Sequence, residues 1–336
     1  MRDLFDAQLI NGAWGDPGLY VDFCDERRAL LFDIGDLSRL PPRKLMRLTH
    51  VFVSHAHMDH FSGLDHLLRV VLGRKDRIVL YGGPGFIERV EHKLQAYTWN
   101  VVQRYAVELV LEVREHRAEG GTRRALFSSR NGFERCDLPP AAQPQGDVLH
   151  EEHTFRVRAR SLDHGIPCLA FALEERARVR IAKDRMTQLG LGPGAWLREL
   201  KHALLSGAPG TTSLQVAWQN RDGRHARNCR LDELRDIVLD VVPGRRIGYV
   251  TDIRDTEANL SELQQLLAGA DRLYIECVFL QADAAHAARK HHLTAHQAGT
   301  IAAKLGVRAV VPFHFSPRYE GRAAELEAEM LAAWRA

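Results

Sequence analysis

Five cysteines are present, Cys24, Cys136, Cys168, Cys229 and Cys277, and no two stand in C-x-x-C spacing. An odd count without that spacing argues against a disulfide framework or a thiolate zinc ribbon, and predicts reduced thiols in a cytoplasm. No apolar run approaches 18 uninterrupted residues, so no membrane span is expected. The opening, "MRDLFDAQLINGAWGD", has acidic residues where a secretory leader needs a basic flank and an apolar stretch. Charge of one sign is also missing. The net value is +3, so whole-chain charge alone does not call for a nucleic-acid partner. There is no short-period repeat and no low-complexity tract. What remains is globular: 336 residues, 45% hydrophobic and 26% charged, enough to bury a sizeable core. Histidine, at 17, is plentiful, and it is the commonest metal ligand.

Short apolar runs alternate with helical patterns. "YVDFC" and "ALLFDIG" predict two strands joined by "DERR". "HVFVSH" and "RIVLYG" predict two more, with the helical "GLDHLLRVVLG" between them. "VELVLEVREH", "RRALFSSR", "TFRVRARSLDH" and "PCLAFALEE" read as strands, several with the alternation of a half-exposed sheet. "RIGYVTD", "RLYIECV" and "AVVPFHF" read as buried strands, separated by the helical "TEANLSELQQLLAGA" and "TAHQAGTIAAKLG". Two similar halves of this kind predict one layered α/β domain spanning 1–336 with helices outside.

One segment breaks the pattern. Around residues 176–246 the chain is rich in Gly, Pro and basic residues, as in "GLGPGAWLRELKHALLSGAPGTT" and "QNRDGRHARNCR". Between Glu174 and Arg230 eleven Lys/Arg face five Asp/Glu, an excess larger than that of the whole chain. It reads as an inserted basic arm or as a solvated surface insertion. Trp196 and Leu197, beside its Gly-Pro turn, offer either an apolar tip or a packing contact.

The densest signal is "VFVSHAHMDHFSGLDHLL". His55, His57, Asp59 and His60 form H-x-H-x-D-H at a strand exit. Imidazole with carboxylate suits zinc, and also iron or manganese. Four ligands so close together divide more easily between two ions than around one tetrahedral ion. Others stand where apolar runs stop: His164 after "VRARSL", Asp252 ending "IGYVTD" and His314 ending "VVPFH". His66, in the next helix, is not expected to be a ligand. His286 and His291 are expected at the surface. Asp33, in "LFDIGD", also ends a strand and is expected to receive the N–H of a ligating histidine.

H-x-H-x-D-H followed by separate His, Asp and His ligands resembles the metallo-β-lactamase superfamily, from about Leu31 to Tyr319. More narrowly the chain resembles the ribonuclease Z family, which trims the 3′ trailer of precursor tRNA. "SLDHGIP", "LGLGPGAWLRELK", "HLTAHQAG" and "HFSPRY" carry that likeness. Two stretches depart from the family pattern. "LINGAWGDPGLYVDF" stands where the family has a Gly-rich strand and turn, and "VTDIRD" stands for its Gly-Asp-Thr. The resemblance implies a four-layer αββα sandwich with the basic arm inserted. It implies two divalent ions, zinc first and Mn2+ or Fe2+ next. One would be held by His55, His57 and His164, the other by Asp59, His60 and His314, with Asp252 bridging. It implies that His292, opening "HLTAHQAG", donates a proton to the leaving oxygen, and that Glu276 polarises His292. Asp59 would also orient the nucleophile. Such a centre activates water for in-line attack on a phosphodiester and neutralises the developing charge. The implied partner is precursor tRNA or another phosphodiester, and the implied assembly a homodimer. The competing expectations are a hydrolase of small esters, thioesters or lactams, which needs no basic arm, and a non-catalytic nucleic-acid binder, which predicts missing ligands.

Overall fold

The computed structural model describes residues 4–117, 121–139, 146–176, 178–205, 207–220, 223–242 and 244–336. Its backbone forms two compact units, one of residues 1–149, 157–173 and 246–336, the other of 150–156 and 174–245. Residues 177, 206, 221, 222 and 243 of the expected arm lie outside the described residues. No described helix is long and apolar enough to cross a membrane.

The first unit is organised by two sheets. An eight-stranded sheet runs in sequence order: β1 (Phe5–Leu9), β2 (Leu19–Phe23), β3 (Ala29–Phe32), β4 (Leu48–Phe52), β5 (Arg77–Gly82), β6 (Val110–His116), β7 (Thr122–Ser128) and β8 (Arg135–Leu138). The chain continues through β9 (Val148–Glu151), β10 (Phe155–Asp163) and β11 (Pro167–Glu175). The second unit adds β12 (Arg178–Ile181), β13 (Ser213–Asn220), β14 (Gly223–Arg230) and β15 (Leu239–Val242). Then come β16 (Arg246–Val250), β17 (Arg272–Glu276) and β18 (Val310–Phe313), completing a six-stranded sheet of order β18-β17-β16-β11-β10-β9.

The sheets meet face to face through aromatic side chains. Phe171 of β11 packs against Phe32 and Phe52, with ring centroids 5.4 and 6.0 Å apart, and Tyr249 of β16 lies 6.0 Å from Phe32. Helices cover the outer faces. Leu64, Leu67, Leu68 and Val71 of helix Leu64–Val71 join the core of the first sheet, with Phe86, Ile87, Val90 and Leu94 of helix Phe86–Gln95. Helices Glu257–Leu267, Ala295–Lys304 and Ala323–Arg335 cover the second. The layers therefore run α, β, β, α, as apolar strand runs flanked by 3.6-periodic patterns require. Helix Ala295–Lys304 starts on a capping box, with Thr294 and Gln297 each holding the other's backbone N–H. Gly299 lies so close to helix Ala323–Arg335 that a Cβ there would come within 2.2 Å of the Met330 carbonyl.

Strand direction explains where chemistry collects. β3, β4, β5 and β6 run parallel, as do β16, β17 and β18. Parallel neighbours present their carboxyl ends on one edge. Asp33 and His55 follow β3 and β4, and Asp252, Glu276 and His314 end or follow β16, β17 and β18.

The second unit has its own small core of Met186, Leu191, Trp196, Leu200, Val216, Cys229, Leu231 and Leu234. Trp196 is 2% exposed and its indole N–H donates to the Gly192 carbonyl at 3.1 Å. The apolar-tip expectation is thereby corrected: burying the large ring within its own unit outweighs exposing it, and Leu197 packs on the same core.

Glu112 of β6 is fully buried and accepts from three guanidinium groups. Arg114 is at 2.7 Å, Arg124 at 3.0 Å, and Arg77 completes the set. Burial alone raises its pKa, but Arg114 and Arg77 outweigh that and bring it down from 4.5 to about 2. A depressed carboxylate stabilises the fold above its unfolded pKa and loses that contribution as pH falls through the folded one. Because the arginines are partly solvated, Glu112→Gln should cost only about 1–3 kcal/mol at neutral pH. The difference in melting temperature between the two proteins should be full at pH 7 and shrink as pH drops from 4.5 toward 2. A pH-independent difference would assign the effect to packing.

Candidate metal centre

His55 and His57 sit in the loop leaving β4, and Asp59 and His60 in the single helical turn Met58–Phe61 that follows. This turn is seated on the exit of β3, where the Ile34 N–H donates to the His60 carbonyl at 2.9 Å. Gly35 permits the approach, since a Cβ there would fall 2.2 Å from the Asp59 carbonyl. His164 occupies the turn between β10 and β11. His314 has φ +62 and Asp33 has φ +57. Both therefore hold a left-handed conformation that costs a non-glycine residue about 1–2 kcal/mol. Each sits immediately after its strand and turns a polar side chain into the centre.

Three donor groups meet at the centre, one of Asp252, Glu276, His292 and His314 and two that contain the expected ligands. Ligand atoms of His55, His57, His164 and Asp252 all lie within 4.8 Å of one another, and so do those of Asp59, His60 and His314. Asp252 spans the two. Its Oδ2 is 3.6 Å from Nε2 of His55 and of His164 and 3.4 Å from Nε2 of His60, and its Oδ1 is 3.0 Å from Nδ1 of His314. Asp59 Oδ2 lies 3.4 Å from His60 Nε2 and 3.3 Å from His314 Nε2. The structure thus brings together all seven residues expected as ligands. His66 is not among them.

The donor set fits divalent cations. Nε2 of His55, Nε2 of His60 and Nδ1 of His314 are buried without a hydrogen-bond partner, an expensive condition unless a cation takes their lone pairs. The opposite nitrogens are held. His60 Nδ1 donates to Asp33 Oδ2 at 2.9 Å, and His164 Nδ1 donates to the His291 carbonyl at 2.8 Å. These contacts set the tautomer that leaves each Nε2 free. Asp33 is itself locked by the Ser54 N–H at 2.7 Å, the Ser54 hydroxyl at 2.9 Å and the Tyr249 hydroxyl at 3.0 Å.

Electrostatics point the same way. Burial, followed by the neighbouring His60, pushes His55 down to about 2, so it stays a neutral donor. Burial also disfavours charge on His60 and His314, but carboxylates overcome it. Asp252 and Asp33 hold His60 well above its usual value, and Asp252 and Asp59 raise His314 to about 10. The carboxylates therefore draw positive charge to the nitrogens a cation would occupy, so metal uptake displaces protons.

Beside the centre lies a cleft of about 540 Å3, lined among others by His57, Asp59, His292, His314 and Arg318. Glu276, fully buried at the end of β17, accepts from His292 Nδ1 at 3.0 Å and from the Ile253 N–H at 2.7 Å. It thereby ties His292 to the segment that carries Asp252. Burial lowers the His292 pKa, but the Glu276 charge and hydrogen bond outweigh it and raise the balance.

One expectation needs correction. His291 is not a plain surface residue. Its carbonyl orients His164, and its ring packs under Arg254, whose Nη2 is 2.7 Å from His291 Nε2. His286 lines the cleft, with its ring 5.1 Å from Phe279. The sequence reading also missed Tyr249, Ser54 and the loop between β1 and β2. That loop places Trp14, Gly15 and Asp16 on the cleft wall, with Trp14 edge-on to Phe315 at 5.2 Å. The "HFSPRY" stretch gave no hint of this partner 301 residues earlier in the chain.

A domain described as the beta-lactamase superfamily domain matches residues 26–134. A ribonuclease Z of Deinococcus radiodurans is 35% identical over 322 residues, covering 94% of this chain and 91% of that protein. A ribonuclease Z of Nocardia farcinica is 31% identical over 274 residues, covering 81% and 71%. Among solved structures, the metallo-beta-lactamase fold protein YhfI from Bacillus subtilis gives a TM-score of 0.54 at 16% identity, covering 99% of this chain and 94% of that one. Human tRNase Z, short form, gives 0.53 at 19%, covering 94% and 92%. At those identities the two structures speak for the fold, which is that of the metallo-β-lactamases.

Elemental analysis of the purified protein should find two divalent ions per chain. His57→Ala should lose one of them preferentially, because His57 belongs to only one donor group. Equal retention of both ions in that variant would remove His57 from the ligand set.

Proposed function

The chain belongs to the ribonuclease Z family, and we propose that it is an endonuclease that removes the 3′ trailer from precursor tRNA. The observation that carries this reading is His292, held from behind by the buried Glu276, on a cleft beside a seven-residue donor set for two cations. The imidazole-rich set suits zinc, with Mn2+ or Fe2+ able to use the same atoms. His55, His57 and His164 would hold one ion and Asp59, His60 and His314 the other, with Asp252 placed to serve both. When bound, the pair supplies an activated water and neutralises charge on the phosphoryl group.

The remaining work falls to the chain. Asp59, with its side chain 41% exposed, reaches the cleft and orients the attacking water. Asp33, fixed by Ser54 and Tyr249, keeps His60 in one tautomer. Glu276 holds a proton on His292. With Nδ1 engaged by the carboxylate, Nε2 is the nitrogen left to pass a proton to the leaving oxygen. In the second unit, Arg198, Arg224, Arg227 and Arg230 are exposed, which supports a grip on RNA phosphates. All five cysteines are free, which supports a cytoplasmic setting.

Holoenzyme incubated with precursor tRNA should release the trailer by one cut. His292→Ala should lower kcat about 10²–10⁴-fold while metal content stays constant. If metal is lost along with activity, His292 is a ligand and not the acid.

The pH profile tests Glu276. The acid must be protonated to act, so activity falls as pH rises through the His292 pKa, which Glu276 raises. Glu276→Gln should therefore shift the alkaline limb to lower pH, and an unmoved limb would deny Glu276 this role.

Salt dependence tests the basic unit. Replacing Arg224 and Arg227 by Ala should weaken tRNA binding and flatten the log–log salt slope by about 0.7–0.9 for each phosphate no longer engaged. An unchanged slope would place the RNA elsewhere.

A further inference from the structure

A second cavity, of about 210 Å3, meets the catalytic cleft at His57, the one residue common to the two linings. Its walls include Ser54, Pro84, Arg89, Ile166 and Pro167. Neither His292 nor Asp59 reaches it. Ile166 is 41% exposed, and Met58, between His57 and Asp59, is 84% exposed. Two of the six exposed large apolar side chains among the described residues thus sit in ligand-bearing segments, and Ile166 lines this cavity. Arg89 is exposed and folds over its own loop, donating to the Gly85 carbonyl at 2.8 Å. The Ser54 hydroxyl is already engaged by Asp33 and His55, so it offers little to a ligand.

We infer that this cavity holds the first nucleotide of the RNA trailer, its base against Ile166, Pro84 and Pro167 and its following phosphate beside Arg89. The inference rests on the endonuclease reading above. His292, the proton donor, lines the larger cleft, so the leaving oxygen and the nucleotide that bears it belong there. The nucleotide that keeps the scissile phosphate must depart from phosphorus in another direction, and the smaller cavity is lined by His55 and His57 and not by His292. Size agrees with that division. The folded acceptor end needs the larger space, while a single-stranded trailer fits the smaller. Apolar walls can bury the face of a base, and Arg89 stands where a following phosphate would be neutralised.

The test uses holoenzyme and four precursor tRNAs. Their scissile phosphate carries a methyl group, one abasic nucleotide, one ordinary nucleotide, or two nucleotides. For the wild type, kcat/KM should rise roughly tenfold from the abasic to the ordinary nucleotide, as expected for one base buried against apolar side chains. It should rise again with the second nucleotide, which brings the next phosphate. Ile166→Ser should erase the first gain, and Arg89→Ala the second. Both side chains are exposed, and metal content measured in parallel reports whether the centre is intact. If both variants keep both gains, the subsite is overturned. If the wild type cuts none of the four, the endonuclease reading fails, and the subsite fails with it.

Discussion

The carboxylate of Asp252 is buried among imidazoles of His55, His60, His164 and His314, which stand after β4, in the helical turn that follows, after β10 and after β18. A buried carboxylate without positive charge beside it costs several kcal/mol. Every other element of the centre can be understood as meeting that demand. Parallel strands bring their ends to one edge. Left-handed residues at Asp33 and His314 turn side chains inward. Asp33, Ser54 and the His291 carbonyl fix the outward nitrogens, so that lone pairs face Asp252 rather than solvent. A pair of cations would satisfy the carboxylate and the orphaned nitrogens together.

The same arrangement sets a division of labour. Residues around Asp252 would fix where cations sit, and in the proposed reaction Glu276 would fix where a proton waits. Glu276 accepts from both His292 and the Ile253 backbone, which ties His292 to the Asp252 segment. The proposed acid would thereby be registered against the site of attack, which is the geometric condition for a positioned proton donor. Strain at Asp33 and His314 fits a site whose geometry is held by surrounding structure and not by local preference.

Much of this was legible in the sequence because the ligands are local or end apolar runs. H-x-H-x-D-H lies within six residues, and His164, Asp252 and His314 each follow a recognisable strand. The layered α/β order followed from the same runs. What escaped depends on contacts distant in the chain or on backbone atoms. Tyr249 meets Asp33 across 216 positions, and the His291 carbonyl meets His164 across 127. A carbonyl carries no residue-type signal, so His291 read as a surface residue. The loop holding Trp14 and Asp16 read only as a departure from a family pattern, because its role as a cleft wall needs Phe315 opposite it. Trp196 read as either an apolar tip or a packing contact, because nothing in its local sequence announces the small core that buries it.

The claim that Asp252 organises both cation sites is tested most directly by titrating Zn2+ into metal-free wild type and Asp252→Asn, which removes the charge at nearly constant volume. The account predicts two ions per chain for the wild type and at most one, weakly held, for the variant. Two ions bound by Asp252→Asn with wild-type affinity would contradict it.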